Sequence, residues 1–166
     1  QGVSSAASDV YKRQLVHSLA YADTQDLSKP FSETLRDGFN KAMEISAYSL
    51  LPLAKGVIPM MRKRGGGSIV SMSFIGSTLA VPNYNVMGPA KAALESCTRY
   101  LARELGPENI RINSLSPGAI RTLSSAGIKD ISEMIRVAGE HSAMKRTATQ
   151  AEVANTAAFL LSDAAS

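Results

Sequence analysis

Residues 65–75 read GGGSIVSMSFI, and this stretch decides what kind of fold the chain adopts. Three glycines precede a short apolar run that ends in small residues, which is the pattern of a buried strand. Residues 15–21, LVHSLAY, and residues 110–116, IRINSLS, have the same character, and Pro117 and Gly118 close the latter run. The sequence therefore predicts three strands, separated by segments of more than about 30 residues.

A long segment with helical periodicity follows the first predicted strand. It runs from about Thr34 to Arg62, and Thr34 with Asp37 forms the pattern of a capping box. Pro52 and Pro59 must kink or break this helix, because proline lacks the N–H that a helix interior needs. The apolar side that the helix would bury consists of Leu35, Phe39, Met43 and Leu50.

Two further helices have clearer boundaries. One starts between Asn85 and Gly88 and stops at Gly106, and the other starts at Thr149, whose hydroxyl can form a capping box with Glu152. Spacings of three and four predict their buried faces: Ala90, Leu94, Cys97, Leu101 and Leu105, and then Val153, Ala157 and Leu161. Strands that alternate with helices at these connection lengths predict an α/β fold with parallel strands and right-handed crossovers.

Composition excludes several classes of protein. The 166 residues are 45% hydrophobic, which suits one domain or part of one. A net charge of +4, without a basic run interleaved with aromatic residues, gives no indication of a nucleic-acid partner. No apolar run approaches the roughly 18 residues of a membrane span. The single Cys97 excludes an internal disulfide framework and fits the cytoplasm, and the isolated His17 and His141 indicate no metal site.

The first 14 residues, QGVSSAASDVYKRQ, differ in character from the rest of the chain. They are rich in Ser and Ala, weakly periodic and without an initiating Met. We interpret residues 1–14 as an adaptor or linker sequence foreign to the fold, with a frayed native tail as the alternative. The folded part is then expected to comprise residues 15–166.

The chemically informative residues follow the predicted strands, where ligands of parallel sheets bind. Tyr84 and Lys91 stand seven positions apart, about two helical turns, so they would share one face of a helix. A tyrosine at a half-buried helix start and a lysine on a solvated face are also ordinary structural residues. Their location after a strand is what favours a functional site.

Ser73, then Tyr84 with Lys91, then IRINSLSPGAIRT at residues 110–122 resemble the short-chain dehydrogenase/reductase family. The six residues between Tyr84 and Lys91, more than in most members, resemble its enoyl-acyl-carrier-protein reductase branch, as do NYNVMGPAKAALE, IRTLSSAGIKD and VHSLAYA. The resemblance covers residues 15–166. It implies the C-terminal part of a Rossmann-like, doubly wound parallel sheet, with the first strands, the glycine-rich phosphate loop and the last strand missing.

The resemblance also implies an activity, namely reduction of trans-2-enoyl thioesters in fatty-acid synthesis by hydride from NADH, with NADPH as the alternative cofactor. Tyr84 would donate a hydrogen bond to the enolate oxygen, and Lys91 would bind the ribose hydroxyls of the cofactor. The cofactor contacts it implies are Ser18, Leu19, Lys91, Ile120, Arg121, Thr122, Leu123 and Ser124. The substrate contacts it implies are Ala22, Phe74, Met87, Ile128 and Met134.

Two departures from the branch keep alternatives open. Phe74 stands where many enoyl reductases have a second tyrosine, so an auxiliary hydroxyl is lost. SPGAI at residues 116–120 is closer to the carbonyl-reducing members, so a 3-ketoacyl reductase is one alternative. A noncatalytic fragment that binds a partner is another, since an adenosine site would lie upstream. This chain by itself is expected to be inactive.

Residues 123–148 are predicted to form a substrate lid. The segment is too apolar for a free loop, and Gly127 and Gly139 interrupt it too often for one rigid helix. In the resembling family, basic residues here meet the acyl carrier protein that bears the substrate, and this chain retains Lys129 and Arg136. A homotetramer is the assembly that the resemblance implies for the full-length protein.

Overall fold

The computed structural model describes residues 13–122, 125 and 128–166, and its strands form one parallel sheet. The order is β1 (Gln14–His17), β2 (Gly67–Met72), β3 (Ile110–Leu115), and all three lie where the sequence predicts strands. The folded part starts before the predicted boundary at Leu15, because the Ser68 amide donates to the Arg13 carbonyl at 2.8 Å. That the earlier residues are an adaptor stays a prediction.

A short helix that was not predicted, α1 (Thr24–Ser28), precedes the long helical segment, which is itself divided into α2 (Arg36–Met43), a π-helical turn (Glu44–Tyr48) and α3 (Leu50–Lys63). The prediction of a capping box at Thr34 and Asp37 is wrong. Thr34 follows a short 3₁₀ turn (Phe31–Glu33) and its hydroxyl donates to the Phe31 carbonyl at 2.7 Å. Leu35 is then the extended residue before α2 and is 64% exposed, so it is not part of the buried side.

The π-helical turn accommodates Pro52. The Ser49 amide donates to the Glu44 carbonyl, five residues earlier, at 3.0 Å. In a regular helix the Pro52 ring would clash with the carbonyl four residues before it, whereas here Pro52 lies in the first turn of α3, where an N–H has no intrahelical partner. The break predicted for this helix is therefore found at the first proline, while α3 continues past Pro59 to Lys63.

The main core lies between α3, α4 (Met87–Leu105) and one face of the sheet. Its large side chains are Leu50, Ile58, Met61, Ile69, Leu94, Leu101, Leu105, Ile110 and Ile112, with Cys97 packed at the margin. The predicted start and apolar face of α4 are confirmed. Side chains alternate along a strand, so Ser68 and Ile69 point to opposite faces of the sheet. The Ser68 hydroxyl donates to the Leu160 carbonyl of the last helix, so a helix covers each face of the sheet.

The C-terminal third contains α5 (Ile131–His141) and α6 (Gln150–Leu161). The capping box at Thr149 and Glu152 is confirmed, since the Glu152 amide donates to the Thr149 hydroxyl at 3.2 Å and the Thr149 amide donates to the Glu152 carboxylate at 2.8 Å. The predicted face of α6 is only half-buried at Val153, Ala157 and Leu161. Among the described residues, no helix is long and apolar enough to cross a membrane.

Candidate active site

A cavity of about 530 Å³ opens at the carboxyl ends of the three strands. Each segment that follows a strand contributes to its wall: Ser18 after β1, Ser73 after β2 and Pro117 after β3. The start of α4 and the residues around the start of α5 complete it. The predicted clustering of the informative residues at this edge of the sheet is therefore found.

Tyr84 lies in the turn that precedes α4 and lines the cavity. Its neighbours Asn83 and Asn85 have φ angles of 60° and 34°, in the left-handed region that asparagine tolerates better than most residues. The side chain is only 7% exposed, and burial raises the pKa of the phenol above its ordinary value of 10.0. The hydroxyl is therefore a hydrogen-bond donor at neutral pH.

Lys91 lies on the same helix and is buried, with 5% of its surface exposed. Its Nζ atom donates to the Met72 carbonyl at the end of β2 at 2.7 Å. Burial lowers the pKa of the ammonium to about 8, against the opposing effect of the Glu95 carboxylate one turn further on. The interpretation of Lys91 as an ordinary lysine on a solvated helix face is therefore wrong. A buried ammonium requires hydrogen-bond partners to offset the loss of hydration.

Two glycines let Tyr84 pack against the turn that follows β2. A β-carbon added at Gly76 would lie 2.5 Å from Cδ1 of Tyr84 and 3.4 Å from Cδ1 of Phe74. One added at Gly88 would lie 3.0 Å from the Gly76 carbonyl oxygen. The Phe74 and Tyr84 rings are tilted by 59° with centroids 4.8 Å apart. Phe74 therefore forms an aromatic wall beside the phenol.

A family model described as enoyl-(acyl carrier protein) reductase matches residues 9–166. The chain belongs to this enoyl reductase family. It is 51% identical over 152 residues to the NADH-dependent enoyl-[acyl-carrier-protein] reductase FabI of Nostoc sp., covering 92% of this chain and 58% of the relative. It is 48% identical over 150 residues to the NADPH-dependent FabI of Staphylococcus aureus, covering 90% and 58%.

Solved structures of enoyl reductases share the fold. The chain is similar to the Bacillus cereus enoyl-acyl carrier protein reductase with NADP+ and indole naphthyridinone, with a TM-score of 0.87, 44% identity, and coverage of 92% of this chain and 59% of that one. The Anaplasma phagocytophilum reductase in complex with NAD is similar with a TM-score of 0.85 and 39% identity, and the match covers 91% of this chain and 57% of that one. The Rossmann-like fold is confirmed, and the chain spans about 58% of the length of its curated relatives.

The cavity brings together most of the residues that the enoyl reductase resemblance predicts. All five predicted substrate contacts line it, namely Ala22, Phe74, Met87, Ile128 and Met134. Of the predicted cofactor contacts, Ser18, Lys91, Ile120 and Thr122 line it. Leu19 instead is largely exposed outside the wall, and the Arg121 guanidinium donates to the Ser132 hydroxyl at 3.1 Å. Leu123 and Ser124 lie outside the described residues.

Sequence reasoning missed two polar side chains at or next to this cavity. Glu95 accepts a short hydrogen bond from the Ser73 hydroxyl and so joins the end of β2 to α4. Its position one turn after Lys91 was a usable signal, because residues four apart share a helix face. Tyr21 also lines the cavity, and nothing in its sequence context marks it beyond its place after β1.

The predicted lid is represented by Ile128 and by α5, which contributes Ile131 and Met134 to the cavity wall. Gly139 was predicted to interrupt the helical structure of this segment, but it lies within α5, which continues to His141. Gly127 lies outside the described residues. Arg136 forms ion pairs with Glu133, at 2.6 Å, and with Glu140. Its charge is thus locally neutralised, which leaves Lys129 as the other predicted basic contact on this segment.

Proposed function

We propose that the complete protein is an enoyl-[acyl-carrier-protein] reductase that reduces trans-2-enoyl thioesters by hydride transfer from NADH. The observation that carries this proposal is the pair formed by Tyr84 and Lys91: a buried neutral phenol and a buried ammonium at one cavity, on a chain of the enoyl reductase family. Two such groups are costly to bury in an apolar wall without a ligand to engage.

Reduction of an enoyl thioester delivers hydride to the β-carbon and leaves negative charge on the thioester oxygen. A donor that remains protonated at neutral pH stabilises this enolate. Tyr84 meets that requirement because burial raises its pKa, and its packing between Phe74 and the backbone at Gly76 restricts the ring. Tyr84 is therefore assigned the role of oxyanion donor.

The nicotinamide cofactor supplies the hydride, and Lys91 suits the ribose of such a cofactor. An ammonium has three donors, and within the described part of the chain Lys91 gives one of them to the Met72 carbonyl. The remaining donors suit a diol. Ser18, Ile120 and Thr122 are assigned to the same ligand as neighbouring wall residues. The assignment of Leu19, Arg121, Leu123 and Ser124 to this ligand rests on the family resemblance alone. Relatives of both cofactor types are similar to this chain, so NADPH is the alternative to NADH.

The remaining wall of the cavity suits an acyl chain. Its apolar side chains come from four separate parts of the chain, namely Ala22, Phe74, Met87, Ile128 and Met134. An apolar wall with a few polar groups at one end is the usual form of a site for a ligand with one polar terminus. The polar terminus is then the thioester, next to Tyr84, and α5 closes over the chain as a lid.

We further propose that the complete protein acts in the cytoplasm on substrates bound to acyl carrier protein and assembles as a homotetramer. Carrier-protein docking has only weak support, because Arg136 is already paired with two glutamates and Lys129 is the other predicted basic contact. Large exposed side chains on the helices support assembly, including Tyr48 before α3, Tyr100 on α4, which is 77% exposed, and Phe159 on α6. Light scattering on the complete protein tests the assembly, and a monodisperse monomer would contradict it.

The activity is tested in the complete protein with a crotonyl thioester and NADH. Formation of the saturated thioester supports the proposal, whereas reduction of a 3-ketoacyl thioester with no reduction of the crotonyl substrate identifies a ketoacyl reductase instead. Tyr84→Phe is expected to lower turnover about 10²- to 10³-fold at saturating NADH, with the NADH dissociation constant nearly unchanged. Equal turnover of Tyr84→Phe and wild type contradicts the assignment of the phenol.

A further inference from the structure

The segment between β1 and α1 forms part of the cavity wall without any regular secondary structure of its own. Ser18, Ala20, Tyr21 and Ala22 all line the cavity. Residues 18–21 are exposed and Ala22 is half-buried, so packing alone does little to hold them in place. The position of this segment therefore depends on which side chains bond to its backbone.

Ser46 provides these bonds. Its hydroxyl accepts a hydrogen bond from the Tyr21 amide at 2.9 Å and donates one to the Tyr21 carbonyl at 3.1 Å. Ser46 is completely buried, so its hydroxyl is shielded from water and these bonds are its main polar contacts. One side chain thus satisfies both backbone groups of a cavity-wall residue, as a neighbouring strand would.

Ser49 adds a second bond from the same part of the chain. Its hydroxyl donates to the Ile45 carbonyl at 2.6 Å, so towards His17 it acts as an acceptor, with an Oγ to Nε2 distance of 2.8 Å. Nε2 of His17 therefore carries the proton in this contact. His17 is the last residue of β1, so this bond fixes the point from which the wall segment departs.

The π-helical turn explains why two serines meet this segment. The turn includes Ser46 and is closed by the amide of Ser49, which bonds to the Glu44 carbonyl. An extra residue in the turn shifts the side chains that follow it around the helix axis, and such turns recur at functional sites. Ser46 Oγ also lies 3.6 Å from Sδ of Met87, so the turn also contacts the part of the cavity wall at the start of α4.

The other polar contacts described for the segment are at the surface. The Tyr21 hydroxyl donates to Asp23 at 2.7 Å, and the Lys41 ammonium pairs with Asp23 at 3.0 Å and lies 4.7 Å from the centroid of the Tyr21 ring. Exposed ion pairs of this type contribute little to stability. Ala22 packs against the cluster of Leu27, Tyr84 and Met87, and the bonds of Ser46 are the principal hydrogen bonds that hold the rest of the wall segment.

We propose that the π-helical turn acts as a clamp on the cavity wall, with Ser46 as the positioning residue that sets how tightly the cavity binds its acyl substrate. The proposal rests on the proposed function for the identity of that substrate. The hydrogen-bond partners described for Ser46 do not include Tyr84 or Lys91. Loss of its hydroxyl should therefore loosen the wall and weaken substrate binding, and leave the chemical step largely unchanged.

The test compares Ser46→Ala with Ser68→Ala in the complete protein. Ser68 is a matched control, because it is also buried and its hydroxyl donates to a backbone carbonyl, that of Leu160, at 2.9 Å. It lies at the end of β2 that is remote from the cavity, and Ser68→Ala removes this one bond. Ser46→Ala is expected to raise KM for a crotonyl thioester about three- to tenfold, with kcat changed less than about twofold. Ser68→Ala is expected to leave both constants within about twofold of wild type.

Amide hydrogen exchange of residues 18–22 gives a second readout that needs no activity. Exchange should be faster in Ser46→Ala and unchanged in Ser68→Ala. Ser46→Cys, which preserves the volume, should show smaller changes in the same direction and serves if Ser46→Ala fails to fold. Unchanged exchange in the Ser46 variants, or an equal KM for the two Ser→Ala variants, overturns the proposal. An inactive wild type overturns the proposed function instead, and exchange alone then decides the clamp.

Discussion

Replacement of Gly76 by alanine should misplace the Tyr84 phenol. The added β-carbon would lie 2.5 Å from Cδ1 and 2.7 Å from Cε1 of the ring, whereas carbon atoms in contact prefer about 3.5 to 4.0 Å. The ring must therefore retreat by about 1 Å, because the obstacle is a β-carbon fixed to the backbone. A displacement of this size at a reacting group lowers turnover by up to about 10²-fold.

The assay is kcat for a crotonyl thioester at saturating NADH in the complete protein. Gly56→Ala is the matched control, since Gly56 lies in α3 with nothing within 4 Å of the added carbon, and it should leave kcat unchanged. In a Tyr84→Phe background, Gly76→Ala should cost less than about threefold, because the displaced hydroxyl is already absent. Wild-type kcat in Gly76→Ala, or losses that multiply in the double variant, would refute the steric argument.

Three further predictions concern other parts of the chain. Burial lowers the pKa of Lys91 from 10.5 to about 8, so the unfolded state binds more protons than the folded state between these pH values. Wild type should therefore gain stability relative to Lys91→Met as pH rises from about 8 to 10.5. Equal pH dependence of the two proteins in urea unfolding would contradict this. Thr149→Ala should lose about 1 kcal/mol of unfolding free energy with the capping box, while Thr156→Ala, in the exposed part of α6, should lose almost none. Phe74→Tyr should raise kcat/KM for the crotonyl thioester up to about tenfold by adding a hydroxyl beside Tyr84, and a fall would show that the wall must be apolar.

Local patterns predicted those elements whose causes are local. The three strands and α4 follow from short apolar runs, glycines and a sustained helical period, and the Thr149 cap follows from two residues three positions apart. The helix start at Thr34 failed because the residues before it form a short 3₁₀ turn whose carbonyl binds the Thr34 hydroxyl, so α2 begins only at Arg36 and Leu35 stays outside the helix. Ala42 and Ser46 therefore occupy the interior in place of Leu35.

The chemistry of the site depends on contacts that sequence spacing does not contain. The spacing of Tyr84 and Lys91 predicts a shared face, but the burial of Lys91 depends on the Met72 carbonyl at the end of a strand. Ser46 has no sequence signal as a clamp, because a serine inside a helical segment ordinarily bonds within its own helix. Leu19 was predicted as a cofactor contact from the family resemblance, but it is 48% exposed, and it lies beyond the strand pairing that ends at His17 and would fix its direction.

The desolvated ammonium of Lys91 also has a consequence for covalent chemistry. With a pKa of about 8, about one molecule in ten carries a neutral amine at this position at pH 7. A lysine with an ordinary pKa of 10.5 is neutral roughly 300-fold less often under the same conditions. Activated esters and aldehydes react with the neutral amine, so an electrophile with an apolar body that fits beside Phe74 and Met87 should label this side chain in preference to the surface lysines.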